Sequence, residues 1–546
     1  MEKQRKYKFT HKYQRRYLYV VTILLGLFFV FQLVGNFTNL LATTNNQSTD
    51  IQYHQLQTML ADKNSLIPKR EQSYVILGDP KDTLVQITSS HLQNIKLNSR
   101  IESEMAEVFA SVKGIFICKQ ELLDREIEEL MSAAKRGISL YFLTMPHQLN
   151  NEDLRQLLGI QEIHGTEQKW GVRFISNFMI GEMKEYQDYY LAFQEVKLSQ
   201  GTKVYAYSLG KKEKELEVDK QIRNEDLPPL IWRNSYRINA QKHSLVFVVN
   251  MDSLMNTLTG PGIITGMLSQ SESDFMYPVI NGYHLVIKGL PILNNFQNEK
   301  LMQLYGKDAL RIQQDILIPQ ISSFLSKYQL RPTYLIAKMD VMNRQQQKIL
   351  EYHLQQVRSQ AGELIYFHKN LTDLGPALQQ IEYQEETSQF TFYEKNKTSI
   401  PLLINTNHYQ ERDELSILSS YTAYGYLSLY IDTDELLTNT NELNWVSEGK
   451  KINTILAMHQ KKYSYLQRNS ISSIIMNLLK YQLLEPAIHY EPERITLQLD
   501  YFTDVSYFIL KTPKVIREVV NGSYQEIGFQ RYLITLTEDT AQVIFH

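Results

Sequence analysis

The sequence has almost no cysteine, and this excludes whole classes of site. Cys118 is the single cysteine among 546 residues, so an intrachain disulfide and any site built from several cysteines are excluded. It ends the apolar run Ile115–Cys118, which has the composition of a buried strand. A nucleophile elbow needs small residues beside its nucleophile, whereas Ile117 and Lys119 flank this thiol. We therefore predict that Cys118 is a core thiol and not a catalytic one.

Net charge and nucleotide-binding loops are lacking as well. The 57 basic and 59 acidic residues leave a formal net charge of -2, so there is no global basic field to recruit nucleic acid. Neither a GxGxxG loop nor a Walker loop occurs, which removes the usual motifs for dinucleotides and nucleotides. Hydrophobic residues make up 43% of the chain and charged residues 21%, as in folded proteins. The length predicts two or three domains.

Charge is also absent from a long apolar segment near the N-terminus. Residues 17–34 carry no charge, and a helix continued to about Leu41 would span a bilayer at about 1.5 Å per residue. Seven basic residues and one acid precede it, and the next charge is Asp50, so the positive-inside rule places the N-terminus in the cytoplasm. A cleaved signal peptide is the alternative. The favoured interpretation is a cytoplasmic basic tail (1–16), a single-pass transmembrane helix (17–41) and a polar stalk (42–72), with an extracellular C-terminal body.

From residue 73 onward, short apolar runs alternate with helical patterns. Such alternation indicates βαβ units and a parallel sheet, hence an α/β fold class, in which ligands bind beyond the carboxyl ends of the strands. The first strand-like runs are Tyr74–Leu77, Gly114–Cys118 and Ile138–Leu143, with helices predicted over 100–112, 121–135 and 151–158. Further strands are predicted over 172–175, 189–193, 204–209 and 244–250, and Gly260–Gly262 is assigned to a connection. In element order, residues 73–280 resemble a flavodoxin-like, glutamine-amidotransferase-like domain that has lost its catalytic elbow.

Residues 281–485 resemble, in element order, the polysaccharide deacetylase (carbohydrate esterase) superfamily. The resemblance implies a distorted (β/α) barrel of about seven strands that hydrolyses N-acetyl groups on glycans with one divalent metal. In that family the first strand ends in a pair of aspartates. Here the strand Tyr283–Ile287 is followed by Lys288, and a protonated lysine cannot bind a metal.

The third strand of the same resemblance carries a second departure. The strand Gly362–His368 ends where the family has the first histidine of a His-x-x-x-His motif, but Thr372 replaces the second. Asp373 could take its place only in a rearranged loop. Such a site needs about two histidines and one carboxylate. We therefore expect a degenerate barrel with no catalytic residue, no bound metal and no cofactor, and a vestigial site made up of Lys288, His368, Thr372 and Asp373.

The C-terminal segment 486–546 has a different pattern. Ile495–Asp500 and Tyr532–Leu536 alternate apolar and polar residues, and Asn521-Gly522 is a hairpin signal between them. The sequence therefore predicts a small antiparallel β-module. It either closes the barrel, which is the favoured interpretation, or binds glycan through its tyrosine and phenylalanine side chains.

Taken together, these parts resemble membrane-anchored proteins of Pel-type exopolysaccharide operons. The resemblance implies a non-catalytic accessory protein of biofilm exopolysaccharide synthesis or export, whose partners are the polysaccharide, a membrane-bound synthase complex, or both. Two alternatives stay open: an active metal-dependent polysaccharide deacetylase or hydrolase with a rearranged site, and a purely structural scaffold. No spacing selects a catalytic set among the other candidate side chains, which are Asp340, Asp413, Asp432, Asp434, His353 and His408.

Overall fold

The structure of the protein is a computed structural model that describes most of the chain from residue 73 onward. The described residues are 55–60, 62–63, 73–105, 112–175, 177–181, 185–209, 224, 227–237, 243–291, 298–337, 344–360, 362–367, 381–384, 398–401, 404–433, 436 and 445–546.

The predicted fold class is wrong in its first element. No helix of the residues that the structure describes is both long and apolar enough to cross a membrane. The predicted basic tail (1–16) and transmembrane helix (17–41) lie outside those residues, as does most of the predicted stalk (42–72). The described chain is a mixed α/β fold built around a nine-stranded sheet.

The first sheet has two halves of different character. Its strands are β1 (Tyr74–Leu77), β2 (Ser99–Glu102), β3 (Gly114–Ile117), β4 (Ser139–Phe142), β5 (Ile160–Phe174), β6 (Glu185–Leu198), β7 (Lys203–Leu209), β8 (Pro229–Arg237) and β9 (His243–Val249). Their spatial order is β2-β1-β3-β4-β9-β8-β7-β5-β6. The first five in that order are parallel, in the 2-1-3-4-5 arrangement of flavodoxin-like sheets. The remaining pairs are antiparallel.

Two predicted features of this region are wrong. The helix predicted over 100–112 begins instead as strand β2, which pairs in parallel with β1, and residues 106–111 lie outside the described ranges. The segment Gly260–Gly262 is not a connection, because it forms the first turn of a helix with Pro261 near its start. A proline there loses no hydrogen bond, since the first N–H groups of a helix have no partner within it. The helices of this region are α1 (Thr83–Asn94), α2 (Asp124–Lys135), α3 (Glu152–Leu158) and α4 (Gly260–Ser271).

A second, wholly parallel set of strands follows a linking strand, β10 (Phe275–Val279). These strands are β11 (Gly282–Lys288), β12 (Pro332–Ala337), β13 (Glu363–Phe367), β14 (Ile381–Gln384), β15 (Thr398–Pro401), β16 (Ile404–Asn405) and β17 (Tyr426–Asp432). The helices that accompany them are α5 (Asn298–Tyr305), α6 (Ala309–Ile312), α7 (Ile318–Tyr328), α8 (Arg344–Ser359), α9 (Glu411–Tyr424), α10 (Trp445–Lys462) and α11 (Ile471–Leu483).

The strands of the expected distorted barrel form two separate ladders. Five strands form a sheet in the order β13-β12-β11-β17-β16, and β14 pairs only with β15. The first strand, β11, thus lies between the second and the last, which is the neighbour relation of a (β/α) barrel. Within the described ranges, no ladder joins β13 to β14 or β15 to β16.

The C-terminal part is a sandwich of two four-stranded antiparallel sheets. Its strands are β18 (Glu485–Tyr490), β19 (Arg494–Asp500), β20 (Ser506–Lys511), β21 (Ile516–Val520), β22 (Gly522–Gly528), β23 (Arg531–Leu536) and β24 (Thr540–Phe545), with β10 from far upstream as the eighth. The sheets are β10-β20-β23-β22 and β18-β19-β24-β21. A turn does occur at Asn521, whose φ is 61°. It is not a hairpin, because β21 pairs with β24 and β22 pairs with β23 in the other sheet.

Close packing of α4, α9 and α1 joins the first sheet to the second. The backbone N–H of Gly262 in α4 donates to Ser419 Oγ in α9 at 2.9 Å, and a Cβ at Gly262 would collide with the backbone of Ser419. From α1, the ring of His91 bonds Thr265 Oγ1 at 2.8 Å and Tyr424 Oη at 3.1 Å. Burial lowers the pKa of His91 to about 3, so this buried link is made by a neutral imidazole.

Candidate functional site

The carboxyl ends of β11 and β17 meet at one edge of the second sheet, where α/β proteins place their ligands. Lys288 ends β11 and is in register with Asp432, which ends β17. Their side chains form an ion pair with 3.2 Å between Nζ and Oδ2. Asp432 is buried, and Asn407 Nδ2 donates to its backbone carbonyl at 2.7 Å. A lysine therefore neutralises the Asp432 carboxylate at this edge of the sheet.

Only one residue of the predicted vestigial site can be placed. Lys288 lies among the described residues, whereas His368, Thr372 and Asp373 lie outside them. That these four residues gather into one site therefore stays a prediction. Within the described ranges, no group of three or more His, Cys, Asp or Glu side chains is placed to hold a metal ion.

Other candidate side chains have local structural roles or fall outside the described ranges. Asp340 and Asp434 lie outside them. Asp413 caps α9, because its carboxylate accepts the backbone N–H of Gln410 at 2.7 Å. The ring of His353 packs edge-on against Tyr334 with 4.8 Å between centroids, and burial lowers its pKa to about 4. His408 is exposed near the end of β16.

The strand ends of the first sheet hold a fixed polar cluster and a protonated thiol. Cys118 follows β3, and burial raises its pKa to about 12, so it is not a thiolate at neutral pH. The predicted core thiol is confirmed.

A polar cluster lies at strand ends of the same sheet. Thr144 Oγ1 donates to one carboxylate oxygen of Asp252 at 2.6 Å, and Gln120 Nε2 donates to the other at 2.6 Å. Both oxygens of that carboxylate are thus bonded to neighbouring side chains.

A cleft of about 710 Å³ opens between three parts of the molecule. Its walls are the segment 177–181 that follows β5, the helix α10, and the β22–β23 turn at 527–531. The volume lies in the range of small-molecule sites. Helix α10 presents one face to the cleft, since the lining positions recur at helical spacing: they are Thr454, Ala457, Met458, Lys461 and Lys462.

Buried hydrogen bonds hold two of these walls together. The N–H of Ile180 donates to Thr422 Oγ1 in α9 at 2.9 Å. From the β22–β23 turn, Arg531 Nη2 donates to the carbonyls of Asn177 at 2.8 Å and Phe178 at 3.1 Å. The guanidinium of Arg531 therefore ties the C-terminal sandwich to the first sheet at the base of the cleft.

Three cations line the cleft, namely Lys461, Lys462 and Arg531, and none of the described residues lining it is acidic. Arg531 is 2% exposed, and its Nη1 has no hydrogen-bond partner among the described residues. Burial lowers the pKa of Arg531. A buried cation is costly unless a counter-charge or a full set of acceptors meets it. The electrostatics of the cleft therefore favour a negatively charged or strongly hydrogen-bonding ligand.

A buried aromatic cluster supports the inner side of α10. His459 lies among Tyr283, Tyr409 and Tyr463, with ring centroids 6.2, 6.2 and 5.7 Å away. Burial, with a smaller contribution from nearby cations, lowers the pKa of His459 to about 3. Neither of its ring nitrogens has a hydrogen-bond partner among the described residues. His459 is thus a neutral, buried ring that packs against the inner side of α10. Of the rings around it, Tyr463 also lines the cleft.

Sequence reasoning missed this cleft because its walls are far apart along the chain. Two local signals were available. Lys461 and Lys462 end an amphipathic helix and are followed by Tyr463 and Tyr465, so cations and aromatic rings are interleaved. Arg531 opens an alternating strand immediately after an exposed turn. Neither signal says which other segment of the chain it faces.

Comparisons with known proteins give partial likenesses only. No protein-family model and no curated protein matches the chain. Among solved structures, Agd3, described as a novel carbohydrate deacetylase, has a TM-score of 0.48 and 8% identity over 86% of this chain and 98% of its own. The cold-adapted β-galactosidase of Rahnella sp. R3 scores 0.25 with 10% identity, over 37% of this chain and 31% of its own. The exo-β-1,4-mannosidase Op5Man5 from Opitutaceae bacterium strain TAV5 has a TM-score of 0.26 and 14% identity, over 39% of this chain and 38% of its own.

The description of Agd3 coincides with the deacetylase family that the sequence resembles. All three scores are below 0.5 and no identity exceeds 14%, so none of these proteins lends its activity to this chain. The Pel-type operon and the amidotransferase-like domain are not confirmed by the three likenesses. They stay predictions from the sequence.

Proposed function

We propose that this protein is a non-catalytic accessory protein of cell-surface polysaccharide synthesis or export, and that it binds glycan in the cleft beside α10. The observation that carries the proposal is the cleft, which has a volume of about 710 Å³ and walls from three parts of the chain, two of them joined by the hydrogen bonds of Arg531. Tyr463, Tyr465 and Phe529 line it beside cationic side chains. Aromatic rings with polar groups at their margin suit a ligand that has both apolar faces and hydroxyl groups.

The ion pair between Lys288 and Asp432 supports the non-catalytic part of the proposal. A catalytic zinc needs about three protein ligands and an open position to lower the pKa of its water. At the edge of the second sheet, the lysine that the sequence resemblance aligns with the family's acidic pair binds the neighbouring carboxylate. The polysaccharide and a synthase complex are the partners that the sequence resemblance implies, and they belong to the same proposal.

The test is glycan binding by the purified protein and by a variant with a blocked cleft. Ala457 is an exposed residue of α10 that lines the cleft, so Ala457→Trp should fill the site without removing any hydrogen bond. We expect it to weaken binding to neutral or acidic polysaccharides at least tenfold in affinity electrophoresis. The matched control is Lys450→Trp, because Lys450 is exposed on the same helix about 10 Å away along its axis.

Three results would contradict the proposal in different ways. Binding that survives Ala457→Trp would place the site elsewhere, and binding to no polysaccharide at all would remove the glycan-binding role. Release of acetate from acetylated hexosamine polymers, with one tightly bound metal per chain and loss in His368→Ala, would identify an active deacetylase. We expect no acetate release and little effect of His368→Ala.

A further inference from the structure

We infer that the glycan bound in the cleft is acidic, and that its negatively charged groups bind against Arg531, Lys461 and Lys462. The inference rests on the proposed function and specifies the chemical class of its ligand. It follows from a comparison of the bonding partners of the cations in this cleft with those of three half-buried lysines elsewhere in the molecule.

Arg531 is a buried cation that no carboxylate of the described residues neutralises. Its Nη2 bonds are to neutral oxygens, the carbonyls of Asn177 and Phe178 and, at 3.3 Å, the hydroxyl of Ser269. Its Nη1 is buried and has no partner among the described residues. The guanidinium has a fork of donors that fits a carboxylate or another oxyanion. An anion at the base of the cleft would supply a counter-charge close to the guanidinium, without a bond to the enclosed Nη1.

Three half-buried lysines elsewhere in this protein are neutralised by carboxylates. Lys119 pairs with Glu126 at 2.8 Å, Lys288 with Asp432 at 3.2 Å, and Lys514 with Asp274 at 2.8 Å. These three lysine side chains are 22–30% exposed, so they are less buried than Arg531. Each of these three lysines has a carboxylate partner, whereas no ion pair to Arg531 is found among the described residues.

The two lysines extend the positive charge from the base of the cleft to its rim. Lys462 is half-buried and Lys461 is exposed, and both line the same cleft as Arg531. Charges of one sign that face a partly dry cleft reinforce one another, which raises the local concentration of an oppositely charged ligand. A chain with repeated acidic groups could meet the rim and the base at once.

The experiment compares one oligosaccharide in a charged and an uncharged form. Tetragalacturonate and its fully methyl-esterified form have the same sugar backbone, and only the first carries carboxylates. Titration calorimetry with the full-length protein should show that esterification weakens binding at least tenfold. Raising the salt from about 0.05 M to 0.5 M should weaken binding of the acid and leave the ester unchanged, because screening acts on charge.

Variants assign the effect to the cleft. Lys461→Gln with Lys462→Gln should weaken binding of the acid about tenfold and binding of the ester much less, and neither lysine has an ion pair among the described residues. Arg531→Lys keeps the charge but loses the fork, and should also weaken the acid selectively. The control, Lys348→Gln with Lys450→Gln, removes the same net charge from exposed positions outside the lining and should bind both probes as the parent does.

The outcomes separate this inference from the proposed function. If the ester binds as tightly as the acid and Ala457→Trp abolishes both, the cleft binds glycan but the inference is wrong. If the control pair weakens the acid as much as the cleft pair, the effect is one of overall charge and the inference is also wrong. If neither form nor any other polysaccharide binds, the proposed function and the inference fail together.

Discussion

Replacing His459 by phenylalanine should stabilise the protein, and should do so more strongly in acid. The imidazole is 1% exposed, lies among tyrosine rings, and has two ring nitrogens without a partner among the described residues. A buried polar atom without a hydrogen bond costs roughly 1–3 kcal/mol. The larger phenyl ring has to fit the same space, which costs about 1 kcal/mol. We therefore expect a net gain of about 1 kcal/mol at pH 7.

The gain grows in acid because the folded state holds His459 neutral. Its pKa is lowered to about 3 in the folded protein, from about 6.5. The unfolded state consequently binds a proton below pH 6.5 that the folded state does not, so stability falls as the pH falls from 6.5 towards 3. Between pH 7 and pH 5 this loss amounts to about 2 kcal/mol. Phenylalanine does not titrate, so His459→Phe should be more stable than the parent by about 3 kcal/mol at pH 5.

The assay is urea unfolding followed by circular dichroism at both pH values. Tyr421→Phe is the matched control, because Tyr421 packs against Tyr463 in the same cluster, with ring centroids 4.8 Å apart, and its hydroxyl is also buried without a described partner. It removes a polar atom but no group that titrates between pH 5 and 7, so its gain should be equal at both. A loss of stability in His459→Phe at pH 7, or an equal change at both pH values, would refute the reasoning.

Two further predictions concern packing and chemistry away from the cleft. Gly262→Ala should destabilise the protein by at least about 2 kcal/mol in thermal unfolding, because a Cβ there would meet the backbone of Ser419. The control is Gly528→Ala, where a Cβ meets nothing within 4 Å. An equal effect of both substitutions would contradict the close crossing of α4 and α9. Cys118 should react with a disulfide reagent only as fast as the protein unfolds, since burial raises the pKa of its thiol to about 12. Rapid labelling of the native protein, measured by absorbance, would contradict this prediction by showing an accessible thiolate.

Local sequence patterns predicted strands β1, β3 and β4 of the first sheet because the signals of these strands are local. Tyr74–Leu77 is buried at every position, and a short run of apolar residues is what such a strand requires. The helix predicted over 151–158 begins at Asn151, whose side chain accepts the N–H of Leu154, and ends before Gly159 in the left-handed conformation. Both caps can be recognised from residue type alone.

Features set by distant partners could not be predicted in the same way. Ser99–Glu102 has helix-compatible residues, yet pairing with β1 makes it a strand. The turn at Asn521 was recognisable, but nothing local says that its two strands enter different sheets. For the candidate site, Lys288 was singled out from the sequence, whereas its partner Asp432 is brought to it by a register between strands more than a hundred residues apart.

The pairing of β10 with β20 has a consequence for the time course of synthesis. All five residues of β10 are buried in the finished protein, and its one neighbour in the sheet is β20, which starts about 230 residues later at Ser506. At about 5–20 residues per second, a ribosome needs roughly 10–50 s to reach it. Throughout that interval the nascent chain carries an apolar strand with both edges unpaired, and such edges invite aggregation. Until β20 has been made, roughly 10–50 s later, the nascent chain is therefore exposed to aggregation through this strand.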